Sequence, residues 1–217
     1  MKATIVEKPP GLAAQIYLSI MGLAAWFALV VQLYLLLETK AAPVPELLIR
    51  YFTFYTILTN ILIAVCCSAL LLKPGTVKFF SRPGILTAIA VNITIVGLVY
   101  NLILRFLWQP TGLQHAVDEM LHLLIPLAFI FFWTTFVPKG TLTWSNIYPW
   151  MIYPLAYLAV VLIRGALSGY YPYPFLDVVK LGYPQVLINS VGVAVAFILV
   201  SLLFVAVDRG MVRKPVK

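Results

Sequence analysis

The sequence predicts an all-α membrane protein, a bundle of six transmembrane helices, and three observations carry that prediction. Of 217 residues, 63% are hydrophobic, against 15 basic and 7 acidic side chains; a soluble globular domain has roughly a quarter of its residues charged. The charges are also segregated, because stretches 9–37, 51–72, 83–104, 120–138, 140–163 and 181–207 contain no Asp, Glu, Lys or Arg. Each approaches or exceeds the roughly 20 residues a helix needs to cross hydrocarbon. The stretches are continuously apolar, whereas a membrane β-barrel strand alternates over about ten residues.

Taken in order, the expected spans lie near 12–37, 49–73, 84–107, 117–137, 147–166 and 185–207. The first apolar run, Leu12 to Leu37, is longer than the roughly 7–15 residues of a cleavable signal core, so it is expected to be a retained helix. Every connection carries proline, which cannot easily continue a helix. These are Pro43 and Pro45, Pro74 and Pro83, Pro110, Pro138, and Pro172, Pro174 and Pro184. Together the spans make 1–217 a single transmembrane domain with no room for a soluble domain of even ~50 residues. Cys66 and Cys67 are adjacent within a span, poorly placed to bridge each other, and no metal-type cysteine spacing exists.

Alternating the sides, one receives Lys2, Lys8, Lys73, Lys78, Arg82, Lys139, Arg209, Arg213, Lys214 and Lys217. The other receives Lys40, Arg50, Arg105, Arg164 and Lys180. The positive-inside bias therefore predicts both termini in the cytoplasm. Five acids, Glu38, Glu46, Asp118, Glu119 and Asp177, offset the outer cations, so the formal +8 falls on the inner side. Insertion and anionic lipid account for the basic balance, and no nucleic-acid partner is implied. The sequence has no convincing internal repeat of the kind common in secondary transporters, nor a phosphate loop, HExxH pair or GxSxG elbow.

Polar residues inside apolar spans are costly without partners, so their depth is informative. The outer halves hold Thr53, Thr56, Asn60, Asn101, Arg105, Asp118, Glu119, His122, Arg164, Asn189 and Ser190; the inner halves hold little beyond Asn92, Thr134, Thr135 and Ser201. A polar pocket at outer-leaflet depth is the expectation. On continuous helices Thr53, Thr56 and Asn60 share a face, as do Asp118 and His122, Asn101 and Arg105, and Tyr153, Tyr157 and Arg164. Pro126 cannot donate to the carbonyl of His122, which should leave that carbonyl free and bend the helix beside the imidazole.

Each of these residues has a plain reading beside a chemical one. His122 is an interhelical hydrogen-bonding group, a general base near neutrality, or one member of a metal set with His115, Asp118 and Glu119. That set lacks an established ligand spacing, and His115 lies near water. Thr53 is a threonine bonded back to a carbonyl one turn earlier, or a nucleophile needing a base and oxyanion donors. His122 is the candidate base, Arg50, Asn60, Asn101 and Arg105 are candidate donors, and Asp118 either orients the ring or is solvated. Arg50, Arg105 and Arg164 either snorkel or bind a carboxylate or phosphate head group. Trp108, Trp144 and Trp150 read as interface anchors, and Tyr170 to Phe175 as a loop over the pocket mouth.

Three segments resemble the androgen-induced protein and FAR-17a-like family of six-span membrane proteins, whose characterised members are threonine hydrolases. Arg50-Tyr-Phe-Thr53-Phe is similar to the segment carrying the nucleophilic threonine, and His122-Leu-Leu-Ile-Pro126 to the histidine segment. Tyr173-Pro174-Phe175-Leu176-Asp177 is similar to the aromatic motif before the last helix. The resemblance implies hydrolysis of fatty acid esters of hydroxy fatty acids, with Thr53 as nucleophile and His122 as base. This chain departs from animal members in having Thr56 near an acid position and Asp118 at an Asn-type position.

The expected function is thus an intramembrane hydrolase of lipid esters needing no cofactor and no metal, whose partners are membrane lipids and an amphiphilic ester. Arg50, Thr56, Asn60, Asn101, Arg105, Asp118, Arg164 and Tyr173 are the candidate substrate-binding or oxyanion residues. Compact loops and short termini point to a bacterial inner membrane. The alternative is a small transporter or lipid-binding protein using the same polar cluster without catalysis.

Overall fold

The computed structural model describes residues 11–72 and 78–211. Lys2, Lys8, Lys73, Pro74, Arg213, Lys214 and Lys217, which entered the charge and turn readings, lie outside the described residues. Among the described residues the chain is helical with no strand. In order come α1 (Leu12–Glu38), α2 (Val44–Thr53), α3 (Tyr55–Leu71), α4 (Pro83–Leu102), α5 (Gly112–Glu119), α6 (Ile125–Phe136), α7 (Ile147–Trp150), α8 (Ile152–Ser168) and α9 (Val178–Gly210). A π-helical segment, Met120–Leu124, joins α5 to α6. Five stretches are long and apolar enough to cross a membrane, and a sixth if the bent pair α2 and α3 is one span.

That bent pair corrects the expectation of a continuous second helix. The chain turns by 76° between Val44–Thr53 and Tyr55–Leu71, with Phe54 extended at φ −76°, ψ 126°. Neither proline nor glycine stands at the break. At the break the Thr53 hydroxyl bonds back to the Ile49 carbonyl of its own helix at 2.6 Å, and a Tyr157 hydroxyl from α8 donates to the Thr53 carbonyl at 2.8 Å. Thr53, Thr56 and Asn60 consequently do not share one helical face. The last helix also breaks, at Gly182 with φ +73°, ahead of Pro184.

Small residues let the helices approach closely, as in other membrane bundles. α1 lies along α3, where a Cβ at Gly22 would stand 3.0 Å from Cys67 Cβ, and Ala25, Ala28, Ala64, Cys66 and Cys67 are all buried. α4 is the most enclosed long helix, packed by α3, α6 and α9. At Gly97 a Cβ would stand 3.4 Å from the His122 carbonyl oxygen and 3.5 Å from Pro126 Cβ, so a bare backbone lets α4 close on the π segment. Trp108 and Trp144 are exposed, but Trp150 is buried in the core and is not an interface anchor.

Pro126 acts as expected, and the structure adds what answers it. Without an N–H at 126, the helix closes wide, Ile125 donating to the Met120 carbonyl. The Leu121 and His122 carbonyls are satisfied instead by side chains: Asn60 Nδ2 donates to Leu121 at 3.2 Å, and Asn101 Nδ2 donates to His122 at 3.1 Å. A buried carbonyl left without a donor costs about 1–3 kcal/mol. Asn101→Ala is therefore expected to destabilise the protein by about 1–3 kcal/mol. In a Pro126→Ala background, where an N–H at 126 can again reach the His122 carbonyl, the loss should be smaller. Thermal unfolding of the four proteins in detergent measures this coupling.

Candidate active site

The break at Phe54 decides which threonine meets the histidine. α3 restarts at Tyr55, so Thr56 stands in its first turn, where backbone N–H groups have no partner within the helix. From there Thr56 Oγ1 lies 3.2 Å from His122 Nε2. Thr53, the residue expected to be the nucleophile, instead spends its hydroxyl on Ile49. The pairing is corrected accordingly: Thr56, not Thr53, shares a hydrogen bond with the imidazole. The physical reason is the change of helix direction between them.

His122 sits on the π segment with 11% of its side chain exposed. Its Nδ1 lies 2.9 Å from the Asp118 backbone carbonyl, and a carbonyl can only accept. The neutral ring must therefore carry its proton on Nδ1, leaving the Nε2 lone pair to accept from the Thr56 hydroxyl. Asp118 Oδ1 is 3.3 Å from the same Nδ1. Its other oxygen accepts a hydrogen bond from Tyr100, whose ring stacks on the imidazole at 3.9 Å between centroids and 15° between planes. Asp118 is 6% exposed, so it is buried beside the imidazole and not solvated. Tyr100 did not emerge from the sequence; the available signal was a phenol deep in a span, which needs a partner when buried.

Tyr173 approaches from the fifth loop. Its hydroxyl accepts from the Thr56 N–H at 3.3 Å and lies 3.5 Å from Thr56 Oγ1. The loop is fixed by stacking of Tyr173 on Phe175 and by Asn189, which donates to the Phe175 carbonyl at 2.9 Å. A cavity of about 90 Å³ opens beside these groups, lined by Thr56, His122, Tyr100 and Tyr173 and otherwise largely by aliphatic and aromatic side chains of α4, α8 and α9.

The remaining candidates lie elsewhere. Asn60 donates to the Thr56 and Leu121 carbonyls and Asn101 to the Gly97 and His122 carbonyls. Both N–H groups of each amide are thus used, so neither amide serves as an oxyanion donor. Arg105 pairs with Glu119 at 2.7 Å. Arg50 and Arg164 share Glu46, at 2.8 and 3.0 Å, and both guanidiniums stand over the Tyr170 ring, at 4.4 and 4.9 Å. Burial pushes the Tyr170 phenol up against the pull of these two cations, so the ring meets them neutral. The three arginines tie rim elements together and do not line the cavity. The His115, Asp118, Glu119 and His122 set does not assemble, since Glu119 faces Arg105 and His115 is exposed.

The chain matches no family model, no curated protein and no solved structure. A chemical test of the geometry follows. In Thr56→Cys the thiol stands beside the imidazole and opens on the cavity, whereas in Thr53→Cys it faces its own helix. Alkylation by a small maleimide, read by intact mass, should be faster at position 56. The native Cys66 and Cys67 thiols are fully buried and should stay unmodified.

Proposed function

We propose that the chain is an intramembrane hydrolase of lipid esters in which Thr56 is the nucleophile, His122 the general base and Asp118 the group that orients it. The observation that carries this reading is the Thr56 Oγ1 to His122 Nε2 contact at 3.2 Å, with Nδ1 held by Asp118. A threonine hydroxyl is a weak nucleophile until an adjacent base takes its proton, and that base works best when a third group fixes its tautomer.

The steps balance without a further reactant besides water. Thr56 Oγ1 attacks the ester carbonyl carbon while its proton passes to His122 Nε2. The tetrahedral intermediate collapses, the alcohol leaves with the imidazolium proton, and an acyl-threonine remains. Water then attacks the acyl carbon, giving its proton to the same nitrogen; the bond from the acyl carbon to Thr56 Oγ1 breaks, the imidazolium returns the proton to Oγ1, and the acid departs. The Tyr173 hydroxyl, 3.5 Å from Thr56 Oγ1, is the nearest donor for the oxyanion, aided by the positive N-terminal end of α3. Ester-sized groups fit the cavity, and the tails extend along the exposed apolar faces of α8 and α9, where Leu155 and Val195 are found. The resemblance noted above supports a branched fatty ester as substrate, although it pointed to Thr53. Plasma-membrane residence with cytoplasmic termini belongs to the same proposal and rests on the lysine and arginine bias.

Purified protein is expected to react with a fluorophosphonate probe and to cleave branched fatty esters. Thr56→Ala and His122→Ala should each lower turnover by about a thousandfold, whereas Thr53→Ala should leave it near that of the parent. Labelling and cleavage that survive Thr56→Ala but vanish in Thr53→Ala would return the nucleophile to Thr53. Loss in neither would end the hydrolase reading.

A further inference from the structure

A second, larger cavity lies in the half of α4 away from Thr56. Its volume is about 820 Å³, within the ~300–1,000 Å³ typical of small-molecule sites. It extends along α4 from Arg82 to Asn92, about 15 Å at the helical rise. The long walls are apolar, formed by Leu62, Ile85, Ala88, Ile89, Ile152 and Ala156.

The mouth is rich in hydrogen-bond donors. Arg82 is exposed, makes no ion pair among the described residues, and is the only charged side chain of the described lining. Asn146 spends its Oδ1 on the Thr143 N–H and hydroxyl, at 2.7 and 2.9 Å, which leaves its Nδ2 free beside Gly84. Thr141 Oγ1 is buried without a hydrogen-bond partner. The N-terminal end of α4, a 20-residue helix, adds its positive pole at the same place. A cation and unspent donors without a lining acid fit an anion, and the apolar shaft behind them fits a chain.

We infer that this cavity binds a single-chain acidic amphiphile, its carboxylate or phosphate held by Arg82 and Asn146 and its tail lying along Ile85, Ala88 and Ile89 toward Asn92. The site is separate from the Thr56 cavity, and its occupancy does not depend on the hydrolase reading.

The test uses the full chain in zwitterionic nanodiscs and a long-chain fatty acid carrying a diazirine near its tail. Photolabel should appear, by peptide mass mapping, within 85–92 and 152–156. The unlabelled acid should displace it and the matching fatty alcohol should not. Arg82→Gln should weaken labelling about tenfold, the scale of one lost charge-assisted hydrogen bond, and Ala88→Phe, which fills the shaft, should reduce it independently. Thr56→Ala should leave labelling unchanged, so failure of the catalytic proposal is read separately. Displacement by lysophosphatidic acid as well identifies an acidic-headgroup site of either kind; displacement by the fatty acid alone identifies a carboxylate site. Equal displacement by the alcohol, insensitivity to Arg82→Gln, or label confined to lipid-facing surfaces would overturn the inference.

Discussion

The candidate site depends on one missing hydrogen-bond donor, the backbone N–H that Pro126 lacks. Within hydrocarbon no water replaces a lost backbone bond, so freed carbonyls must find partners in the protein. The helix widens into a π turn over Met120–Leu124, and the Leu121 and His122 carbonyls take Asn60 from α3 and Asn101 from α4. One proline thereby draws two neighbouring helices onto the segment that carries the imidazole. α3 brings Thr56 to Nε2, and α4 brings Tyr100 across the ring face and onto Asp118.

The break at Phe54 is the complementary device, because it frees donors where Pro126 frees acceptors. The start of α3 exposes N–H groups, and the Thr56 N–H is met by the Tyr173 hydroxyl. On the other side of the break, Tyr157 donates to the Thr53 carbonyl. Two helix interruptions thus meet beside a largely apolar cavity, and most of the polar groups there are held by a residue of another helix or of the fifth loop. Asn60 Oδ1 is an exception, buried without a partner; we have no physical account of it.

How much of this was legible in the sequence follows from the range of the interactions. The spans were legible because charges and prolines punctuate them, and the consequence of Pro126 was legible because a proline affects a carbonyl four residues away on the same helix. The break after Thr53 was not, since 49–73 reads as one apolar run and the Tyr157 hydroxyl that meets the Thr53 carbonyl comes from α8. Assuming an unbroken helix placed Thr53 and Thr56 on one face and so obscured the choice between them. The burial of Asp118 was hidden for a similar reason: its partner Tyr100 belongs to a different helix. Trp150 looked like an anchor by residue type, but packing against the other helices buries it. Arg164 looked free because its partner Glu46 lies 118 residues earlier, whereas the Glu46 and Arg50 pair is only one helical turn apart.

Charge placement gives the proposed reaction a direction. Arg50, Arg105 and Arg164 are matched to Glu46 and Glu119 and stand outside the Thr56 cavity, whose walls therefore offer an anion no full positive charge unless His122 is protonated. A neutral ester can enter such a cavity with little electrostatic cost. The carboxylate released by hydrolysis cannot stay cheaply, because a desolvated anion without a paired cation is strongly disfavoured. With the imidazole neutral again the product is the uncharged acid; it becomes a carboxylate only by giving its proton to water, and carboxylate and site then lack complementary charge. The same absence of fixed cations that makes this cavity poor at holding acids makes it suited to releasing them. The opposite cavity, where Arg82 makes no ion pair among the described residues, would have the reverse preference under the proposed anion site.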